Sequence, residues 1–266
     1  MEKNKKQIKS ILKAFEILNL FESNANMSLS EISEKIKAPK TTTHGLLSTL
    51  TAMGFVEKDT MPGRYKLGYK LYELGMAVAK QWQILNVAVP YLKSIVDKLN
   101  ETTHLAVLKD GEVLYIAKWE STRSIKIVSE VGSKLPAHCT GVGKILLSGL
   151  DEKALDYIIS SKELKRFTKN TITDPEKLKE EIKKIKEVRY AVDNEEIMSG
   201  LKCIAVPIYN HTGSISYALS VSAPAYRLSG DNFFKALNTI QNIALAISKE
   251  LGYSLENAKE VLYGNT

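Results

Sequence analysis

Between Gly132 and Lys144 the chain reads Gly-Ser-Lys-Leu-Pro-Ala-His-Cys-Thr-Gly-Val-Gly-Lys, a loop whose glycines run into the start of a helix. Free backbone N–H groups and the dipole at such a start attract a small anion. Nucleotide binding is excluded by the spacing. A Walker loop needs G-x-x-x-x-G-K-[ST], but the glycines here fall at 132, 141 and 143, and Ile145 follows Lys144. A dinucleotide fingerprint is also absent. Further on, Asp193 falls at the end of an expected strand, and Cys203, Ser220 and Ser222 lie on others. Ser220 and Ser222 share one face by the period of two. Small polar groups on the inner face of a sheet suit a pocket for a small polar ligand. The plainer reading is Ser and Cys filling of tight core space.

Two further chemistries are open to these residues. A cysteine with a nearby histidine can act as a nucleophile. Yet His138 and Cys139 are sequence neighbours, which in a strand point to opposite faces, and nothing places a base beside Cys203. His138, Cys139, Asp193 and Cys203 are ligand types that suit zinc, but the compact spacings of common zinc motifs are missing. The expectation is therefore no enzyme, no metal and no cofactor, with a thiol-dependent enzyme or a metal-responsive protein as the alternatives.

A second cluster, Lys40-Thr41-Thr42-Thr43-His44, combines short hydroxyls with cations at a helix start. The elements around it explain its use. Ile8, Ile11, Leu12, Phe15, Leu18 and Leu20 give residues 7–22 a helical period. Ser23 to Asn26 breaks that helix, and Ser28 with Glu31 three residues later forms a capping box for a short second helix. Ala38-Pro39 ends it, and Pro39 suits the first turn of a third helix through Leu46, Leu47, Leu50 and Met53. Phe55 to Lys58 and Arg64 to Leu67 read as two strands turned by Met61-Pro62-Gly63. Helix, short helix, helix and hairpin make a winged helix-turn-helix. Its third helix presents Lys40, Thr41, Thr42, Thr43 and His44 to base edges and phosphates, and the wing adds Lys58 and Arg64. Helix-start capping is the ordinary role of such threonines, and many winged helices bind protein instead.

Charge agrees with the DNA reading. The 266 residues carry 37 Lys/Arg and 30 Asp/Glu, a net +7, and residues 1–80 hold 13 and 8 of these. Most of the positive excess thus lies in less than a third of the chain, as expected of a phosphate-binding part. A 44% hydrophobic and 25% charged composition is that of a globular chain, and its length suggests two domains. Two cysteines cannot build a disulfide framework. With neither a signal peptide nor an apolar run of spanning length, the expectation is a cytoplasmic protein with no membrane partner.

After Gly68, the residues Tyr69, Leu71, Tyr72, Leu74, Met76, Val78, Ala79 and Trp82 cover too wide an arc for a solvated linker. They are expected to pair the chain with a second copy, because palindromic DNA sites call for a two-fold dimer. Packing on the chain's own C-terminal part is the alternative. Residues 85–100 read as a helix. Two strands then flank Lys109-Asp110-Gly111, a strong hairpin signal. Ser124 to Val128 reads as a third strand. Helices are expected over 141–149 and 152–160 and after Thr173-Asp174-Pro175, then a hairpin from Cys203 to Val221 across Asn210 to Gly213. Ser229 is expected to cap a last long helix. The class is α+β: an antiparallel sheet flanked by helices. The expected domains are 1–67, a connecting and dimerising helix at 68–84, and 85–266.

In order and spacing these pieces resemble the IclR family of bacterial transcriptional regulators, from about Lys6 to Gly252. The matching stretches are Pro39 to His44, Tyr65-Lys66-Leu67-Gly68, Leu135-Pro136 before Thr140 to Lys144, Tyr190 to Asp193, Gly200 to Pro207 and Ala218 to Pro224. The resemblance implies an N-terminal winged helix bound to double-stranded operator DNA and a GAF-like C-terminal domain that takes a small carboxylate effector. It also implies a homodimer or tetramer. Carried onto this chain, the N–H groups of Gly141 and Val142 would hold the carboxylate, while Asp193, Cys203, Ser220 and Ser222 would bond its other polar atoms. A repressor of a catabolic operon answering to a keto or sugar acid is the expected function. Gly45 departs from the family, which commonly has Arg there. The change removes a phosphate contact and adds a helix-interior glycine, at a cost of roughly 1 kcal/mol relative to Ala.

Overall fold

The structure is a computed structural model and describes residues 8–59, 63–123 and 129–254. Residues 1–7, Met61-Pro62 of the wing turn and the expected strand at 124–128 lie outside the described residues. The chain divides into two compact units, Met1–Trp82 and Gln83–Thr266.

In the first unit, α1 (Lys9–Leu20) is followed by β1 (Met27–Ser28), α2 (Leu29–Lys35), α3 (Lys40–Ala52), β2 (Val56–Lys58), β3 (Arg64–Leu67) and α4 (Tyr69–Gln81). The capping box forms at the expected place. Ser28 Oγ accepts from Glu31 N at 3.3 Å, and Glu31 Oε2 accepts from Ser28 N at 2.7 Å. Pro39 stands one position earlier than expected, as the N-cap of α3 with extended ψ. The sequence reading also missed β1, a two-residue strand too short to show a period. Met27 pairs with Tyr65 and Ser28 with Arg64, giving a three-stranded sheet in the order β1-β3-β2. Ile17, Phe21, Met27, Ile32, Ile36, Leu47, Leu50 and Val56 form the core. On α1 this core takes Ile17, whereas Ile11, Leu12 and Phe15 stay exposed. α4 leaves Tyr69 (74%) and Tyr72 (69%) exposed, together with Leu74, Met76 and Val78.

The second unit begins with α5 (Gln83–Leu99), β4 (Thr102–Lys109), β5 (Glu112–Trp119), β6 (Lys134–Pro136) and a 3-10 turn (Ala137–Cys139). Then come α6 (Gly141–Ser148), α7 (Glu152–Ser161), α8 (Pro175–Val188), β7 (Ala191–Asn194), β8 (Leu201–Tyr209), β9 (Ile215–Pro224) and α9 (Gly230–Glu250). Among the described residues six antiparallel strands run in the order β6-β5-β4-β9-β8-β7. The β4–β5 turn has Asp110 and Gly111 both at positive φ (54° and 78°), the backbone that an Asp-Gly hairpin turn requires. Helices cover both faces. Leu105, Ile204, Val206, Leu219 and Val221 pack with α5 and α9, whereas Ala106, Ala205 and Ala218 pack with α6 and α8. Small residues on the second face let α6 lie close to the sheet. Ser229 takes the N-cap position of α9 without capping it, since its hydroxyl donates to Tyr226 O at 2.8 Å.

Candidate functional site

Period-two alternation carries the polar residues of four strands to the face covered by α6. The ladder lines up Asp193, Cys203, Ser222 and Thr102 as successive Cα partners on β7, β8, β9 and β4, and pairs Ser220 with His104. Beyond the N-terminus of α6 these residues, Thr102 excepted, border a cavity of about 390 Å³. Gly141, Val142, Asp193, Cys203, Ser220 and Ser222, the six expected effector residues, all line it. So do His104, Tyr115, Ser129 and Thr140, which the sequence reading did not single out, and an apolar rim that includes Leu135, Ile197, Met198 and Leu201.

Thr140 sets the helix start. Its Oγ1 accepts from Gly143 N and donates to Pro136 O, both at 3.2 Å. Lys144 N donates to Thr140 O at 2.9 Å. The N–H groups of Gly141 and Val142 take no partner among the described residues, so the donors free to meet an anion are the two nearest the cavity. A Cβ on Gly143 would collide with the Ala137 backbone, which explains the glycine.

Among the described residues no cation lines the cavity. Lys144 is 1% exposed, and its ammonium donates to Glu196 Oε1 and to Val192 O, both at 2.6 Å. Asp193 is 1% exposed. Its Oδ1 accepts from Glu196 N at 2.7 Å, and its Oδ2 is buried with no partner among the described residues. Burial pushes the Asp193 carboxyl up to about 7, against the pull of the Glu196 N–H. His104 Nε2 meets Ser129 Oγ at 2.6 Å, Nδ1 lies 3.5 Å from Ser222 Oγ, and the ring tilts against Tyr115. Burial holds His104 down at about 3, so it is a neutral imidazole there.

Burial lifts Cys139 to about 12 and Cys203 well above its ordinary value, so neither supplies a thiolate. His138 turns away to Lys165 O at 3.0 Å. Among the described residues no group of three or more His, Cys, Asp or Glu is placed to hold a metal ion.

The first unit corrects two expectations. Thr43 is wholly buried, and its hydroxyl donates to Pro39 O at 3.1 Å, so it belongs to the core and not to the exposed face. Arg64 is tied inward. Its guanidinium donates to Asn26 Oδ1 at 2.5 Å and pairs with Glu31 at 3.1 Å, which fixes β3 to α2 instead of reaching outward. Lys40, Thr41, Thr42 and His44 share the exposed start of α3, and Lys58 is exposed on the wing. A Cβ on Gly45 would meet open space.

The description "IclR helix-turn-helix domain" matches residues 10–60, and "Bacterial transcriptional regulator IclR C-terminal" matches residues 76–249. The chain belongs to the IclR family of transcriptional regulators. HTH-type transcriptional regulator KdgR of Dickeya chrysanthemi is 31% identical over 253 residues, covering 95% of this chain and 83% of that one. HTH-type transcriptional repressor AllR of Escherichia coli strain K12 is 34% identical over 233 residues, covering 88% and 86%. The crystal structure of Thermotoga maritima IclR superposes with a TM-score of 0.75 at 36% identity, covering 93% of this chain and all of that one. This IclR-family chain is thus a DNA-binding transcriptional regulator with an effector-binding C-terminal domain, and its relatives are regulators, not enzymes. Among its described residues no helix is long and apolar enough to cross a membrane.

Proposed function

We propose that this regulator represses a catabolic operon and that a small carboxylate in the C-terminal cavity controls its hold on operator DNA. One observation carries the reading: the unpartnered N–H groups of Gly141 and Val142 open into the cavity that Asp193, Cys203, Ser220 and Ser222 also line. These donors suit a carboxylate, and the hydroxyls suit a neighbouring oxygen. The carbon-rich rim supports a keto or aromatic acid over a polyhydroxylated sugar acid. Lys40, Thr41, Thr42 and His44 read the major groove, with Lys58 on the phosphates. Two copies associate through the exposed apolar faces of α1 and α4, placing two recognition helices on a palindromic site. The effector acts by binding one arrangement of that dimer more tightly than the other.

The test is fluorescence anisotropy on DNA from upstream of the chain's own operon, with aliphatic keto acids, sugar acids and aromatic acids added in turn. The expected result is sequence-selective, salt-sensitive binding that one acid class weakens. Salt-sensitive binding without sequence preference, unmoved by every acid, would overturn it.

A further inference from the structure

Where the end of α5, the residues just past β5 and the start of α9 come together, the second unit carries a cleft of about 440 Å³. Four cations line it, Lys98, Arg123, Arg227 and Lys235, against the single carboxylate of Glu101. The acidic neighbours on the same helices, Asp97 and Asp231, do not line it. In charge this cleft is the opposite of the acid cavity, which no cation lines among the described residues.

The one carboxylate is already engaged. Glu101 is 6% exposed, and both of its oxygens take the Arg227 guanidinium, Oε1 from Nε at 2.7 Å and Oε2 from Nη2 at 2.8 Å. A bidentate pair of this kind fixes Arg227 as part of the wall. Arg123 reaches the same Oε1 only at 3.7 Å, and its Nε donates to Asn100 O at 3.0 Å. That bond orients the Arg123 guanidinium, while its two terminal nitrogens take no partner among the described residues. Lys98 and Lys235 are exposed, and their ammonium groups have no partner among the described residues either. At the start of α9 the Ser229 hydroxyl turns back to Tyr226 O, so the backbone N–H of Asn232, a lining residue, is left without a partner among the described residues.

Cations crowded on one concave surface repel each other, and a bound anion relieves that repulsion. A monocarboxylate would leave most of the charge uncompensated. A phosphoryl group brings about two negative charges and three strong acceptor oxygens. Its oxygens match the donors present: the free fork of a guanidinium, two ammonium groups and an amide at a helix start.

We propose that this cleft is a second ligand site of the C-terminal domain and that it binds the phosphoryl group of a small molecule. Lys98, Arg123, Lys235 and the Asn232 amide hold the phosphoryl oxygens, and Arg227 keeps the wall in place through Glu101. The site is separate from the acid cavity and does not depend on the acid-receptor reading.

Calorimetry on the full-length protein tests it, in chloride buffer free of phosphate, with sodium pyrophosphate, ribose 5-phosphate and citrate as probes. Citrate carries comparable charge without a phosphoryl group. The wild type should bind a phosphate-bearing probe saturably, one per chain, and more tightly than citrate. Whichever of the two phosphate probes binds more tightly tells a free diphosphate from a phosphorylated metabolite. Lys98→Gln with Lys235→Gln removes two ammonium groups that hold no other part of the described chain, so the fold is kept, and Kd should rise about tenfold or more. Lys183→Gln with Lys184→Gln takes the same charge from exposed positions on α8 and should leave Kd nearly unchanged. Equal losses in the two double variants would show a response to net charge alone and overturn the proposal. Citrate bound as tightly as either phosphate probe, or no saturable binding of any probe at millimolar concentration, overturns it as well.

Discussion

The ammonium of Lys144 lies 2.6 Å from Glu196 Oε1, with both side chains almost fully sealed from solvent. The pair pins the first turns of α6 to the loop after β7, and so holds the Gly141 and Val142 amides against the strand that carries Asp193. Removing one partner strands a buried charge. Lys144→Met is expected to cost about 3–5 kcal/mol, and Lys144→Met with Glu196→Leu considerably less. Urea unfolding of the single and double variants checks this; equal losses in both would show that the pair itself matters little.

Gly45 sits on the open face of α3, where an added Cβ meets nothing within 4 Å. Gly45→Ala should therefore raise stability by up to about 1 kcal/mol. Gly45→Arg should tighten operator binding and steepen the dependence of log K on log salt by about 1, the signature of one more phosphate contact. Anisotropy titrations at several salt concentrations measure the slope, and an unchanged slope would separate this position from the DNA backbone.

Thr43 and its neighbours should behave in opposite ways. Thr43→Ala removes a buried side chain with a satisfied hydroxyl, so about 1–2 kcal/mol of stability should go while the folded protein keeps its operator affinity. Thr42→Ala or His44→Ala should leave the melting temperature nearly unchanged and weaken DNA binding. Thermal melts paired with anisotropy on each variant distinguish the two behaviours; a Thr43 variant that melts normally but loses DNA would reverse the assignment.

Tyr69 and Tyr72 are the most exposed aromatic side chains of α4. Tyr72→Glu places a charge in the proposed contact between copies. Sedimentation of wild type should show a dimer or tetramer, and the variant should shift toward the monomer with weaker operator binding. A monomeric wild type would remove the contact altogether.

His104 contributes its own pH dependence. Its folded value of about 3 lies below the ordinary 6.5, so the folded form resists protonation. The stability it contributes is present above 6.5 and is lost as pH falls from there toward 3. In His104→Gln that part of the acid loss should disappear, which a pH series of melting temperatures against wild type reads directly.

The local features were legible in the residues. The Ser28–Glu31 box, the Asp110-Gly111 turn and the Asp174 start of α8 depend on neighbours within a few positions, so residue type alone decides them. The alternation on β8 and β9 likewise put Cys203, Ser220 and Ser222 on a sheet face before any strand order was known.

Other features need contacts between distant parts of the chain. β1 exists because Met27 and Ser28 meet Tyr65 and Arg64 across a loop, and that same meeting draws Arg64 inward to Asn26 and Glu31. Thr43 looked like its exposed neighbours because a run of three threonines does not say which one faces the core. The cavity wall gained His104 and Tyr115 only when β4 and β5 took their places beside β9. Lys144 stood in a loop suggestive of anion binding, yet folding turned it away from the ligand space and onto Glu196. Sequence by itself determined the family, the helix starts and the faces of the strands, because short-range hydrogen bonding and periodicity fix them. Tertiary structure decided which polar groups are spent on one another and which are left for a ligand, because desolvation acts only once the chain has closed around them.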